Sequence, residues 1–247
     1  VDFRADADDA SLIEILERVI ADVGDITGDL LGAELGLSGL DLVFLHVNGG
    51  IYVVSYDFFI DENGILLYPD GQPRFRMIYT NGGKATAHGR SMTEKGRDNV
   101  RNFVANGGSF LGTCAGAYIC SKGVQRDTGY EDIPEYYGIW PGYVRGTGLE
   151  KSFTSQFVEK KSPLLKYYDF GGDMVIDSVR HNGGCYAYVD ADCPKNTEIL
   201  LRYDGDTLNL KKSIHKKVSG WAYKASDATG RVVAIGSHPE RMISGER

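Results

Sequence analysis

Gly108-Ser109-Phe110-Leu111-Gly112-Thr113-Cys114-Ala115-Gly116-Ala117-Tyr118 is the stretch that decides how the rest of the chain is read. Residues 109–112 have the character of a short buried strand, Cys114 falls at a sharp turn, and residues 115–121 begin a helix. A residue at the tip of a strand-to-helix turn is pushed into a strained backbone, and small neighbours on both sides avoid clashes. Gly112 and Gly116 flank Cys114 at the spacing of the G-x-nucleophile-x-G elbow, with sulfur in place of a serine oxygen. Such a turn aims the thiol at a helix N-terminus, where the dipole and a nearby imidazole would favour the thiolate. The N–H of Ala115 is the group expected to stabilise an oxyanion on an attacked carbonyl. Taken alone, the motif reads equally well as a small buried thiol in a glycine-rich turn.

The far end of the chain moves that balance. Arg231-Val232-Val233-Ala234-Ile235-Gly236-Ser237-His238-Pro239-Glu240 reads as a buried strand that ends in His-Pro-Glu. Alternate residues of an extended chain point the same way, so His238 and Glu240 can share a face. Pro239 disfavours the α region for His238 and keeps the segment extended. A carboxylate beside an imidazole fixes its tautomer and supports the imidazolium, the third part of a nucleophile and base arrangement.

Around these two motifs the chain is ordinary in composition. Its 247 residues are 42% hydrophobic and 25% charged, enough for a core that stands without disulfides. The formal charge of -7, with no basic stretch, speaks against a nucleic-acid partner. The apolar runs 42–47 and 51–60 are broken by His46, Ser55 and Asp57 and read as strands, so no membrane partner is expected. Cys114, Cys120, Cys185 and Cys193 lack metal spacing; free thiols are expected, with a Cys185 to Cys193 bridge as the alternative in an oxidising compartment. His46, His88, His181 and His215 are scattered, so no metal site is expected, and no cofactor. The sequence starts at Val1; a cytoplasmic setting is slightly favoured, with a secreted one left open.

The periodicity divides the chain into elements. Leu12, Ile13, Leu16, Val19, Ile20 and Val23 predict an N-terminal helical addition over residues 1–40. Strands follow at 42–47, 51–59, 65–68 and 75–79, with a hairpin turn at residues 61–64. Ser91-x-x-Glu94 reads as a capping box before a helix with Val100, Phe103 and Val104 on one face. Beyond Tyr130, strands are predicted at 137–144, 174–179, 185–189, 199–203, 221–224 and 232–235. Tyr136, Tyr137, Trp140 and Tyr143 suit core packing or a pocket wall. Arg145 could hold a substrate carboxylate through its fork. One compact α/β domain spanning residues 1–247 is the economical reading.

Elbow and His-x-Glu together resemble the class I glutamine amidotransferase superfamily, and within it the biotin-protein ligase N-terminal-like domains. The matching residues are Asn81-Gly82-Gly83, the stretch 103–118 around the elbow, Pro141-Gly142-x-x-Arg145-Gly146, Asn182-Gly183-Gly184 and Gly236-Ser237-His238-Pro239-Glu240. They span roughly residues 76–241, and the first 70 or so residues do not match. The resemblance implies a flavodoxin-like three-layer sandwich with a mostly parallel sheet, extended by extra β-hairpins. It also implies Cys114 as nucleophile, His238 as base and Glu240 as orienter, with Gly82 or Gly83 beside Ala115 in the oxyanion hole. Tyr118, Arg145, Asn182, Gly183 and Gly184 would line the pocket.

Two departures bear on the substrate. Glutaminases of the superfamily carry Gln four residues after the nucleophile, where this chain has Tyr118, and the intracellular-peptidase branch has His directly after Cys, where Ala115 stands. The elbow also resembles that of serine dipeptidases, but the C-terminal His-Pro-Glu favours the amidotransferase arrangement. The expectation is a cysteine-dependent amide hydrolase or amidotransferase working through a thioester on a small-molecule or peptide amide. The alternative is a non-catalytic binding or regulatory domain that keeps the fold. A partner protein or a homo-oligomer is left open.

Overall fold

The computed structural model describes residues 31–32, 41–47, 50–56, 66–205 and 212–240. The turn at residues 61–64 lies outside the described residues, as does the N-terminal helical addition expected over 1–40 except at Leu31–Gly32, which pair as a strand instead. Before the main body, β1 (Leu31–Gly32), β2 (Asp41–Val47) and β3 (Gly50–Tyr56) form a small antiparallel sheet in the order β1-β2-β3.

One branch of the main sheet is parallel. Strand β4 (Met77–Thr80) pairs with β5 (Ser109–Thr113), and β5 pairs with β14 (Val232–Ile235), both in parallel register. Parallel strands need a crossover, and α1 (Ala85–Ser91) with α2 (Thr93–Ala105) supplies the one between β4 and β5. The third helix, α3 (Ala115–Ile119), leaves β5 directly through Cys114. Val100, Phe103 and Val104 are buried on one face of α2, as their spacing predicts. The capping box is not formed: Ser91 Oγ donates to the His88 carbonyl, and Thr93 Oγ1 accepts from Gly96 N instead. The helix starts one residue later than expected because α1, which the periodicity did not signal, ends on Ser91.

The long stretch between α3 and β14 folds almost entirely as strands. These are β6 (Ser121–Arg126), β7 (Gly129–Asp132), β8 (Trp140–Gly146), β9 (Lys151–Val158), β10 (Val175–Asn182), β11 (Cys185–Ala187), β12 (Thr197–Asp204) and β13 (Val218–Tyr223). All their pairings except β6 with β8 are antiparallel. The α/β class expected from the sequence is the fold that forms. Its hairpins take a larger part of the sheet than the expected mostly parallel pairing, which is confined to the β4-β5-β14 branch and to β6 with β8. One edge of β13 is shared end to end, by β14 along Gly220 to Tyr223 and by β11 at Val218. The sheet forks at that point.

Apolar residues are buried on both faces of the sheet. Val232 and Ala234 of β14 pack with Phe103, Phe110, Trp140 and Trp221, while Val233 and Ile235 pack on the other face with Val158, Leu200, Leu201 and Ala222. Tyr136, Tyr137 and Trp140 belong to this core, which decides between their two readings; Tyr143 is half-buried and donates its hydroxyl to Asp132. All four cysteines are free, so the bridge between Cys185 and Cys193 does not form. Among the described residues, no helix is long and apolar enough to cross a membrane.

Candidate active site

In α/β sheets, binding sites gather at the carboxyl ends of parallel strands. Here β4 runs into Asn81, Gly82 and Gly83, β5 into Cys114, and β14 into the segment that carries His238 and Glu240. Three sequence-predicted groups therefore meet because their strands run side by side, with Thr80 opposite Gly112 and Thr113 opposite Ile235.

Cys114 has φ 49 and ψ -103, a conformation that side-chain-bearing residues rarely hold. Its own N–H keeps the turn in place by donating to the Ile235 carbonyl at 2.9 Å. Gly116 permits the helix to start so abruptly: a Cβ there would stand 2.0 Å from the Thr80 carbonyl oxygen. The N–H of Ala115 opens α3, so it has no acceptor within the helix.

His238 is buried, and its N–H donates to the Arg180 carbonyl at 2.9 Å, which ties the segment after β14 to β10. Its Nδ1 lies 2.7 Å from Glu240 Oε1, and the ring stands within hydrogen-bonding reach of the Cys114 sulfur. With Nδ1 on the carboxylate, Nε2 is the nitrogen left for the thiol. Burial disfavours charge on this imidazole, but the hydrogen bonds to Cys114 and Glu240 outweigh it and raise the pKa to about 9. For Glu240, burial pushes the carboxyl up, and the bonds to His238, to its own backbone and to Thr113 pull it down further than that. The pair is thus built to hold imidazolium beside carboxylate. Gly82 lies flat against the ring, where a Cβ would meet His238 Cε1 at 2.2 Å.

The remaining expected residues divide. Tyr118 is half-buried, with its hydroxyl donating to the Gly184 carbonyl at 2.9 Å, so the residue four after Cys114 is joined to the 182–184 loop. Gly183 and Gly184 turn that loop with φ of 82 and 97, and Asn182 is exposed at the end of β10. Arg145 does not join them. A Cβ on Gly146 would stand 3.0 Å from the Tyr118 hydroxyl, and alternation along β8 turns the neighbouring Arg145 to the opposite face. There its guanidinium is engaged by Gln125 and by Asp127, which Lys212 also holds.

Behind His238 lies a buried polar set that the sequence reading missed. Gln156 Nε2 donates to Ser237 Oγ at 2.9 Å, and Ser219 Oγ donates to Gln156 Oε1 at 2.8 Å. His181 Nε2 lies 2.7 Å from Thr154 Oγ1, and burial pulls this imidazole down to about 4. Thr113 and Tyr79 were also missed, although their hydroxyls are 2.9 Å apart beside Glu240. A Gln or Thr inside a strand carries no local signal of burial, because alternation alone does not say which face is covered. Among the described residues, no three His, Cys, Asp or Glu side chains stand together as metal ligands.

The family model described as biotin-protein ligase, N terminal, matches residues 60–245. The chain belongs to this family. The match includes every residue on which the resemblance was read. No match to a curated protein is found. Similar solved structures include one titled as a glutamine amidotransferase, 20% identical with a TM-score of 0.43 over 67% of this chain and 71% of that one. PurLQS from Thermotoga maritima is 16% identical, with a TM-score of 0.42 over 69% and 72% of the two chains. A ThuA-like protein from Bacteroides uniformis is also 16% identical, with a TM-score of 0.43 over 76% and 70%.

Proposed function

We propose that this member of the biotin-protein ligase N-terminal family is a cysteine-dependent amide hydrolase or amidotransferase. The observation that carries the reading is the buried His238, bonded to Glu240 through Nδ1 and within reach of the elbow cysteine on its other side. In this mechanism the Cys114 proton already rests on His238 as imidazolium, and the sulfur attacks the amide carbonyl carbon. The resulting oxyanion is held by the N–H of Ala115 and by the backbone at Gly82 or Gly83. The C–N bond then breaks as the imidazolium returns its proton to the leaving amine. The thioester left on sulfur is cleaved by water or by an acceptor amine, deprotonated by the same imidazole. Glu240 stays ionised and keeps the ring in the productive tautomer. Tyr118, bonded to Gly184, stands where glutaminases of the superfamily have Gln, so the substrate is an amide other than free glutamine.

A second reading is favoured by the burial of the thiol: Cys114 is only 5% exposed, as befits a binding or regulatory domain that keeps the elbow as a fold element. Alkylation by iodoacetamide at about pH 6 separates the two, since an ordinary thiol with a pKa near 8.5 is almost wholly protonated there. The enzymatic reading expects Cys114 to be modified at least about tenfold faster than Cys120, Cys185 or Cys193, and His238→Ala to remove that advantage. Equal rates for all four cysteines favour the binding domain.

A further inference from the structure

Glu240 is held from two directions. His238 Nδ1 takes one side of the carboxylate at 2.7 Å, and the hydroxyl of Thr113 stands within hydrogen-bonding reach of it as well. Thr113 is the last residue of β5, directly before the elbow, and it is buried. Its Oγ1 also lies 2.9 Å from the hydroxyl of Tyr79 on the neighbouring strand β4.

The chemistry of these groups fixes the direction of every bond. An ionised carboxylate can only accept, so Thr113 must turn its single O–H toward Glu240. That leaves Thr113 only lone pairs for Tyr79, so the phenol must donate. The bonds therefore run from Tyr79 to Thr113 to Glu240, each polarising the next, and the chain crosses the carboxyl ends of the parallel strands. Thr113 faces Ile235 of β14 in register, so the link also joins β4 to the strand that delivers His238.

Without this chain the carboxylate would have a reason to leave. The Glu240 side chain is 34% exposed, against 3% for His238, and its other bonds, to His238 and to its own backbone, come from its own segment, so only Thr113 ties it to another strand against exchange with water. We infer that Thr113 and Tyr79 are positioning residues whose hydroxyls fix the Glu240 carboxylate and, through it, the orientation of the His238 ring. The inference deepens the proposed function and rests on the reading of His238 as the base. Neither residue touches the thiol in this scheme; both act through Glu240.

The test is the titration of the His238 ring followed by NMR in the intact protein. The titratable groups that face this ring are Cys114 from the elbow, Glu240 from its own segment and His181 from β10, while Thr113 faces Glu240 and Tyr79 faces Thr113. Thr113→Val keeps the shape of the side chain and removes the hydroxyl; it is expected to lower the midpoint by about one unit and to slow Cys114 alkylation about fivefold. Thr113→Ser, which keeps the O–H, should restore both to near the wild-type values. Tyr79→Phe should move the midpoint in the same direction by less, because its hydroxyl acts one bond further away. A Thr113→Val protein that titrates like the wild type overturns the inference. If that variant does not fold, an unshifted midpoint in Tyr79→Phe overturns it instead. Cys114→Ala separates this result from the enzymatic reading. An unchanged midpoint there, alongside a lowered one in Thr113→Val, would remove the thiol and imidazole pair and leave the hydroxyl chain standing.

Discussion

Cys114 keeps a backbone angle, φ 49 with ψ -103, that glycine adopts at no steric cost and every other residue resists. Strain of this kind costs on the order of 1–3 kcal/mol and persists where the surroundings over-determine it. Cys114→Gly is therefore expected to be more stable than Cys114→Ala by about 1–2 kcal/mol in urea unfolding, since alanine keeps the Cβ and glycine does not. Equal stabilities would mean that the elbow is relaxed. Gly112 and Gly116 around Cys114 marked the turn in the sequence, but only the His-Pro-Glu at the far end of the chain tipped the reading toward an elbow. His238 and Glu240 were legible because Pro239 between them dictates extended backbone. Thr113 lies beside the cysteine and was still invisible, because its partners, Tyr79 and Glu240, come from β4 and from the far end of the chain.

Elements whose pattern is local were read most faithfully. Strand β14 forms over Val232–Ile235, as its unbroken apolar run predicts, and β5 extends one residue beyond its predicted end. Helix α1 escaped because its sequence, Ala85-Thr86-Ala87-His88-Gly89-Arg90-Ser91, has no apolar period; it is held by burial of Ala85, His88 and Gly89 against neighbouring elements. The junction after it is awkward. Thr93 has φ 55, unfavourable for a β-branched residue, and its hydroxyl is a long 3.5 Å from the Gly96 N–H. Asparagine tolerates the left-handed region and caps helices well. Thr93→Asn is expected to raise the melting temperature by about 2–4 °C, the shift that about 1 kcal/mol brings in a domain of this size. A fall in melting temperature would show that the threonine methyl contributes more than the backbone resists. The placement of Arg145 belongs to this scale as well. The motif placed it next to Gly146, but a strand sends adjacent residues to opposite faces, and only the partner strands decide which face looks on the elbow.

At the scale of the whole molecule, the imidazole and carboxylate pair links the site to folding stability. His238 has its pKa raised from 6.5 to about 9, so its contribution is complete below about pH 6.5 and is lost as the pH rises through 9. Glu240 has its value lowered from 4.5, so its contribution is present above that pH and is lost as the pH falls through the lowered value. Between pH 6.5 and 9 the wild type should therefore lose stability more steeply than His238→Gln, measured by urea unfolding across that range. Parallel curves would mean that the imidazole carries no such charge.

The parallel pairing of β5 with β14 sets residues 110–113 beside residues 232–235, about half the chain away. A ribosome adds about 5–20 residues per second, so the thiol emerges on the order of ten seconds before its imidazole. Throughout that interval Cys114 has neither His238 beside it nor β14 to receive its N–H. The two halves of the candidate site first meet when β14 slots between β5 and β13. Timing, as well as geometry, is written into the order of the strands.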